Sequence, residues 1–206
     1  MVDLLISSQI PAKLKHKLAI VKSLQSNENE ESLGQLPFFL LKSVAFLEAL
    51  TAMISIDART RPVYEKSTKI GEHVFFVLQS TELFGIIQMI TTLLLTCNET
   101  FKASAPYSAN NLVVLPQTIL SLTIFSIKVL NNVMRMDVGI AQNLMHDLNE
   151  QLYHLFSFIL TYTETHIDEN DDAKELLHET LIFIGYFCLL NEGYQKTLHR
   201  GENSIL

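Results

Sequence analysis

Between Leu36 and Ile56 only two side chains carry charge, Lys42 and Glu48. Leu40, Val44, Leu47 and Ile54 recur there at helical spacing, and Ala45, Ala49 and Ala52 leave room for close neighbours. A helix this apolar around its circumference must be covered on several sides. A chain with such segments has to stack helices. The rest of the sequence agrees: period-two alternation is absent and glycine is scarce, at 7 residues, so no strand reading competes. The expected class is all-α, with about six to eight helices joined mostly in pairs by short turns. Long apolar helices of this kind suit an α-α superhelix of stacked hairpins or triplets better than a free-standing bundle.

The local signals divide the chain. Residues up to about Ser26 read as an amphipathic helix, with Pro11 in a first turn and Leu14, Leu18 and Val21 as its apolar stripe. Asn27 to Gln35 is acidic and aperiodic and reads as a surface loop. Residues 1–35 are therefore expected as an N-terminal helix with an acidic loop, and residues 36–206 as the helical domain. Pro37 opens that domain's first helix, which Arg59-Thr60-Arg61-Pro62 ends. Further helices are expected from about Pro62 to Leu78 and from Ser80 or Thr81 to Cys97. Asn98 to Leu112 is a long polar connection.

Pro116 starts the next helix, with Ile119, Leu122, Val129 and Val133 along one stripe. Asp137 caps a short segment. Two capping boxes follow, Asp147 to Glu150 and Asp172 to Glu175, each an Asp with Glu three residues on. The second opens a helix that runs to a break at Asn191-Glu192-Gly193, followed by a shorter helix and Gly201.

Composition removes several functions. A formal charge of -7 lacks the basic surface that a phosphate grip needs, so DNA is not an expected partner. One local basic cluster exists, Lys13, Lys15, Lys17 and Lys22 beside His16; it is a solvated helix face or a contact for RNA or an acidic partner. The 2 cysteines, Cys97 and Cys188, sit in apolar text and read as buried thiols, too few for a zinc site. The early Asp3 and late basic residues do not resemble a signal peptide. The uncharged stretch 103–127 is interrupted by Pro106, Asn110, Asn111 and Pro116. It therefore does not read as a membrane span, and membrane contact is expected to be peripheral at most.

Several catalytic constellations are approached in the sequence, and each falls short. His178-Glu179 would need a second histidine at Ile182 to make a zinc-protease motif. Glu175 and His178 form one Glu-x-x-His where a di-metal site needs two. His146, Glu150 and His154 share a helix face but cannot converge on one ion over two turns. Asp168, Glu169, Asp171 and Asp172 lack the spacing of a calcium loop. Neither an activated nucleophile nor a glycine-rich phosphate loop is recognisable. The expectation is a non-catalytic protein with no metal and no cofactor.

The segment Lys174 to Leu206 carries a resemblance. Ile184-Gly185-Tyr186-Phe187, then Asn191, Gln195 and Gly201, is similar to the end of an armadillo-type repeat, where a Leu-Gly-Asn-Leu-like run precedes Asn, three residues, Gln and a junction glycine. Gly185 would permit close helix approach and Gly201 a positive φ. With Leu176-Leu177-His178-Glu179, and with Leu78 to Leu83 followed by Gly85, the chain resembles the C-terminal armadillo-like region of the S phase cyclin A-associated proteins of the endoplasmic reticulum.

That resemblance implies a partial armadillo-like domain, interrupted as a further repeat begins at Ser204. It implies a regulatory interaction scaffold, cytoplasmic or on the cytosolic face of the endoplasmic reticulum. Its partners would be cyclin A and its kinase, or the deadenylase and ribosome machinery of mRNA decay. Tyr186, Asn191 and Gln195 are the implied partner-binding residues. A cyclin-docking Arg-x-Leu is absent, Lys22-Ser-Leu24 being the nearest variant, and no Ser-Pro or Thr-Pro occurs. Tyr186 stands where a peptide-gripping repeat carries asparagine, so a helix-in-groove or surface contact is expected instead. The alternative functions are an RNA- or ribosome-contacting module and a membrane-associated helical domain.

Overall fold

The computed structural model describes residues 30–60, 90 and 114–199. Six α-helices lie there: α1 (Glu30–Thr60), α2 (Gln117–Met136), α3 (Val138–Leu144), α4 (Asn149–His166), α5 (Asp171–Cys188) and α6 (Glu192–His199). A 3-10 turn, His146–Leu148, links α3 to α4. The described residues contain no strand. The all-α expectation therefore holds.

α2 is the central element. It packs against α1 on one side and α5 on the other, and α5 in turn packs against α4. Leu120, Leu122, Ile127, Val129, Leu130, Val133 and Met134 are all buried, so α2 is covered around most of its circumference. By length and composition this helix would suffice to cross a membrane, yet most of it is buried inside the protein. Its two buried hydroxyls are satisfied within the helix: Thr123 Oγ1 donates to the carbonyl of Ile119 at 2.8 Å and Ser126 Oγ to that of Leu122 at 2.7 Å.

Its asparagines act differently. Asn131 Nδ2 donates to Glu179 on α5, at the carbonyl (2.9 Å) and at Oε2 (2.7 Å). Asn132 Nδ2 turns the other way, to Thr51 Oγ1 (3.2 Å) and the carbonyl of Glu48 (3.4 Å) on α1. Two adjacent residues on one helix thus bind both of its neighbours.

The pairs between α2 and α5 also give direction. Gln117 bonds to Asp172, Lys128 to Glu175 and Asn131 to Glu179. The partners advance together along both helices, so α2 and α5 run parallel. The chain returns from the end of α2 to the start of α5 through α3 and α4. The seam of α4 and α5 is aromatic: Phe156 meets Phe183 edge-on, with ring centroids 5.5 Å apart, and Phe187 at 6.0 Å.

Several local readings match. Pro116 starts α2, its carbonyl accepting from the N–H groups of Ile119 and Leu120. Asp137 caps α3 by accepting from the Ile140 N–H at 3.0 Å. The stripes Leu40-Val44-Leu47-Ile54 and Ile119-Leu122-Val129-Val133 are buried.

Others are corrected. The loop expected over Asn27 to Gln35 is helical from Glu30, so Pro37 lies inside α1 and does not open it. Neither capping box forms. Asp147 falls in the 3-10 turn, which runs straight into α4 with no side-chain cap. Asn170 caps α5 ahead of Asp172, its Oδ1 accepting from Asp172 N–H at 2.9 Å and Ala173 N–H at 3.4 Å. The break after α5 falls at Leu189-Leu190, before the expected Asn191-Glu192-Gly193, because Asn191 is already the cap of α6. The expected helices before Ser26 and over Pro62 to Cys97, the loop over Asn98 to Leu112 and the junction Gly201 lie outside the described residues.

Candidate interaction face

The turn between α5 and α6 concentrates the unusual features of the molecule. α5 ends without the left-handed glycine that closes many helices. Its last carbonyls are held by a side chain instead. Gln142, buried at the end of α3, directs Nε2 at the carbonyls of Tyr186 (2.9 Å), Phe187 (3.1 Å) and Leu189 (2.9 Å). The Cys188 carbonyl accepts from Gln195 Nε2 at 2.9 Å and from the Asn191 N–H at 3.2 Å. Backbone acceptors that a helix end leaves open are thereby satisfied.

α6 is docked by one aromatic side chain. Tyr194 is buried and stacks on Phe187, with centroids 4.1 Å apart and planes 9° from parallel. Its hydroxyl donates to the carbonyl of Gln142 at 3.1 Å and lies 3.3 Å from His146 Nδ1. Burial raises the Tyr194 phenol above its ordinary value, helped by the charge of Asp147 and opposed by a hydrogen bond with Asn149. The phenol stays protonated and able to donate. Asn191 Oδ1 caps the start of α6 by accepting from the Tyr194 N–H at 3.3 Å.

Between the two helices the chain turns at Leu190. This residue sits at φ 55, alone among described non-glycine residues in having a positive φ. A left-handed conformation costs a residue with a Cβ roughly 1–2 kcal/mol. Leu190 is also 97% exposed. Leu189 and, two turns back along α5, Leu181 are each 48% exposed. Gly185 lies between them on the helix, and a Cβ built there would meet nothing within 4 Å. The expectation that Gly185 permits close helix approach is thus corrected: it faces open space. Gly185, Cys188, Leu189, Leu190, Glu192 and Gln195 line a shallow depression of about 680 Å³. Burial pushes the Cys188 thiol above its ordinary value, which keeps it from acting as a thiolate.

The proposed contact residues divide by role. Asn191 and Gln195 lie together, the Gln195 N–H donating to the Asn191 carbonyl at 3.1 Å, and both close the turn. Tyr186 is half-buried against the core, with its carbonyl held by Gln142. Lys13, Lys15, Lys17 and Lys22 lie outside the described residues. His178 is 72% exposed with its Nδ1 3.9 Å from Glu179, whose Oε2 is engaged by Asn131. Among the described residues no group of three or more His, Cys, Asp or Glu side chains is arranged to hold a metal ion.

Sequence reasoning passed over Gln142, Tyr194, Asn131 and Asn132. A signal for the asparagines was present, since two adjacent amides interrupt a long and mostly apolar helix. Gln142 gave none, because a lone glutamine in a short helix resembles any surface residue. Comparison with protein-family models, curated proteins and solved structures found no match for this chain.

Proposed function

We propose that this chain is a non-catalytic, armadillo-like scaffold module that binds other proteins. The observation that carries the reading is the parallel pairing of α2 and α5 with two helices threaded between them. One long helix, a short helix, a long helix and then a parallel partner for the first is the repeating step of a stacked-helix array. The asparagines of α2 suit an interior member of such an array, because they bind a neighbour on each side. They are buried for that purpose, so they do not form an open ladder for an extended peptide. The exposed leucines around Gly185 offer a surface of the helix-in-groove kind.

Kinship with the S phase cyclin A-associated proteins of the endoplasmic reticulum is part of the proposal and rests on the Lys174 to Gly201 motif. It brings a cytoplasmic or endoplasmic-reticulum-surface location, and cyclin A with its kinase or the deadenylase and ribosome machinery as partners. Binding of the purified chain to purified cyclin A–kinase and to the purified deadenylase tests it. We expect binding to one of them, weakened about tenfold or more by Leu181→Asp, as for a truncated anchor at an interface. Binding to neither overturns the assignment of partners. Binding that Leu181→Asp leaves unchanged moves the interface off α5.

A further inference from the structure

The turn between α5 and α6 conflicts with the two leucines that open it. Leu189 and Leu190 are strong helix formers, yet they interrupt a helix that resumes at Glu192. Leu190 is held in a left-handed conformation and is fully exposed there. A local preference opposed by the tertiary fold marks a segment with a second available state. That state is easily drawn. If residues 189–191 become helical, α5 and α6 fuse into one rod. The carbonyls of Tyr186, Phe187 and Leu189, held now by Gln142, would then accept from the N–H groups of residues 190, 191 and 193 in the ordinary helical pattern.

The fused rod carries Tyr194 away from its slot. The slot is specific: the ring of Phe187, the carbonyl of Gln142 and the Nδ1 of His146 all address that one side chain. An identical α6 from another copy satisfies it with the same contacts. Short strained hinges beside a small docking element are the setting in which such exchange arises.

We infer that this chain forms a dimer by exchanging α6, with Tyr194 of each copy seated against Phe187 and Gln142 of the other. The partner is a second copy of the chain, and the surface is the slot that α6 fills in the closed form. The exchange follows from hinge and slot alone and does not depend on the scaffold reading.

The purified chain, incubated at low and at high concentration, is examined by light scattering after gel filtration and by native mass spectrometry. A dimer is expected whose share rises with concentration and which exchanges slowly with monomer. Leu190→Gly removes both the left-handed strain and the helix preference and keeps the fold. It should lower the dimer-to-monomer equilibrium by about tenfold or more. Asn191→Leu removes the cap of α6 and favours the fused helix, so it should raise the dimer share.

Covalent capture checks that the contact is in trans. Residue 195 and Cys188 line one depression, so Gln195→Cys in a Cys97→Ser background, oxidised as the isolated dimer, should give a covalent dimer. A chain that stays monomeric at every concentration overturns the inference. So does a dimer unaffected by Leu190→Gly, or one whose 188–195 disulfides all form within one chain.

Discussion

Two positions on α5 show how much a single side chain changes here. Thr180 is fully buried and its hydroxyl has no hydrogen-bond partner. An unmatched buried hydroxyl costs about 1–3 kcal/mol. Thr180→Val keeps the shape, and we expect it to raise stability by about 1 kcal/mol, read as a higher urea midpoint at unchanged slope. A lowered midpoint would mean that the hydroxyl is satisfied. Gly185 offers the opposite case. It lies exposed inside a helix with open space at its Cβ. Gly185→Ala should stabilise by roughly 0.8–1.0 kcal/mol through helix propensity alone. A loss of stability on thermal melting would show that something packs against this glycine after all.

Helix ends decide how the elements connect. The end of α5 depends on Gln142, which supplies one amide nitrogen to three carbonyls. Gln142→Leu leaves those acceptors without this partner and should cost about 2 kcal/mol. The loss should appear first as faster amide exchange in the last turn of α5 and in α6, while α2 keeps its protection. Equal loss in all helices would place Gln142 in the general core instead. The start of α5 depends on Asn170, and Asn170→Ala should cost about 1 kcal/mol, the usual value of a lost N-cap. Both capping boxes looked stronger on paper than Asn170. The cap went to Asn170 because a capping side chain must precede a helical turn in extended conformation, and Asn170 has that backbone, at φ -137 and ψ 113.

Across the molecule, α2 joins the stack through charge as well as amides. Lys128 lies between the acidic residues of its two neighbours. Burial pulls its pKa down, but the hydrogen bond and charge of Glu175, with the charges of Glu179 and Glu48, outweigh that and raise it above 10.5. A raised lysine pKa means that its stabilisation is complete below the unfolded value, near 10.5, and disappears as pH climbs through the folded value. Lys128→Met should therefore flatten the alkaline part of the stability profile. Because the pair is partly exposed, the loss at neutral pH should be no more than about 1 kcal/mol and should shrink in salt. An unchanged alkaline profile would show that Lys128 is not coupled to these carboxylates when folded.

The sequence by itself determined the all-α class, the start of α2 at Pro116, the cap at Asp137 and the buried stripes of α1 and α2. These are local matters of periodicity, ring closure and side-chain reach, and each can be settled within a few residues. It did not determine that Asn131 and Asn132 bind different neighbours, that Gln142 closes α5 from another helix, or that Gly185 faces open space. Only the tertiary structure decided those, because each depends on which helix lies alongside. The same holds at Leu190. Its own propensity asks for helix, and the docking of Tyr194 against Phe187 holds it in a turn.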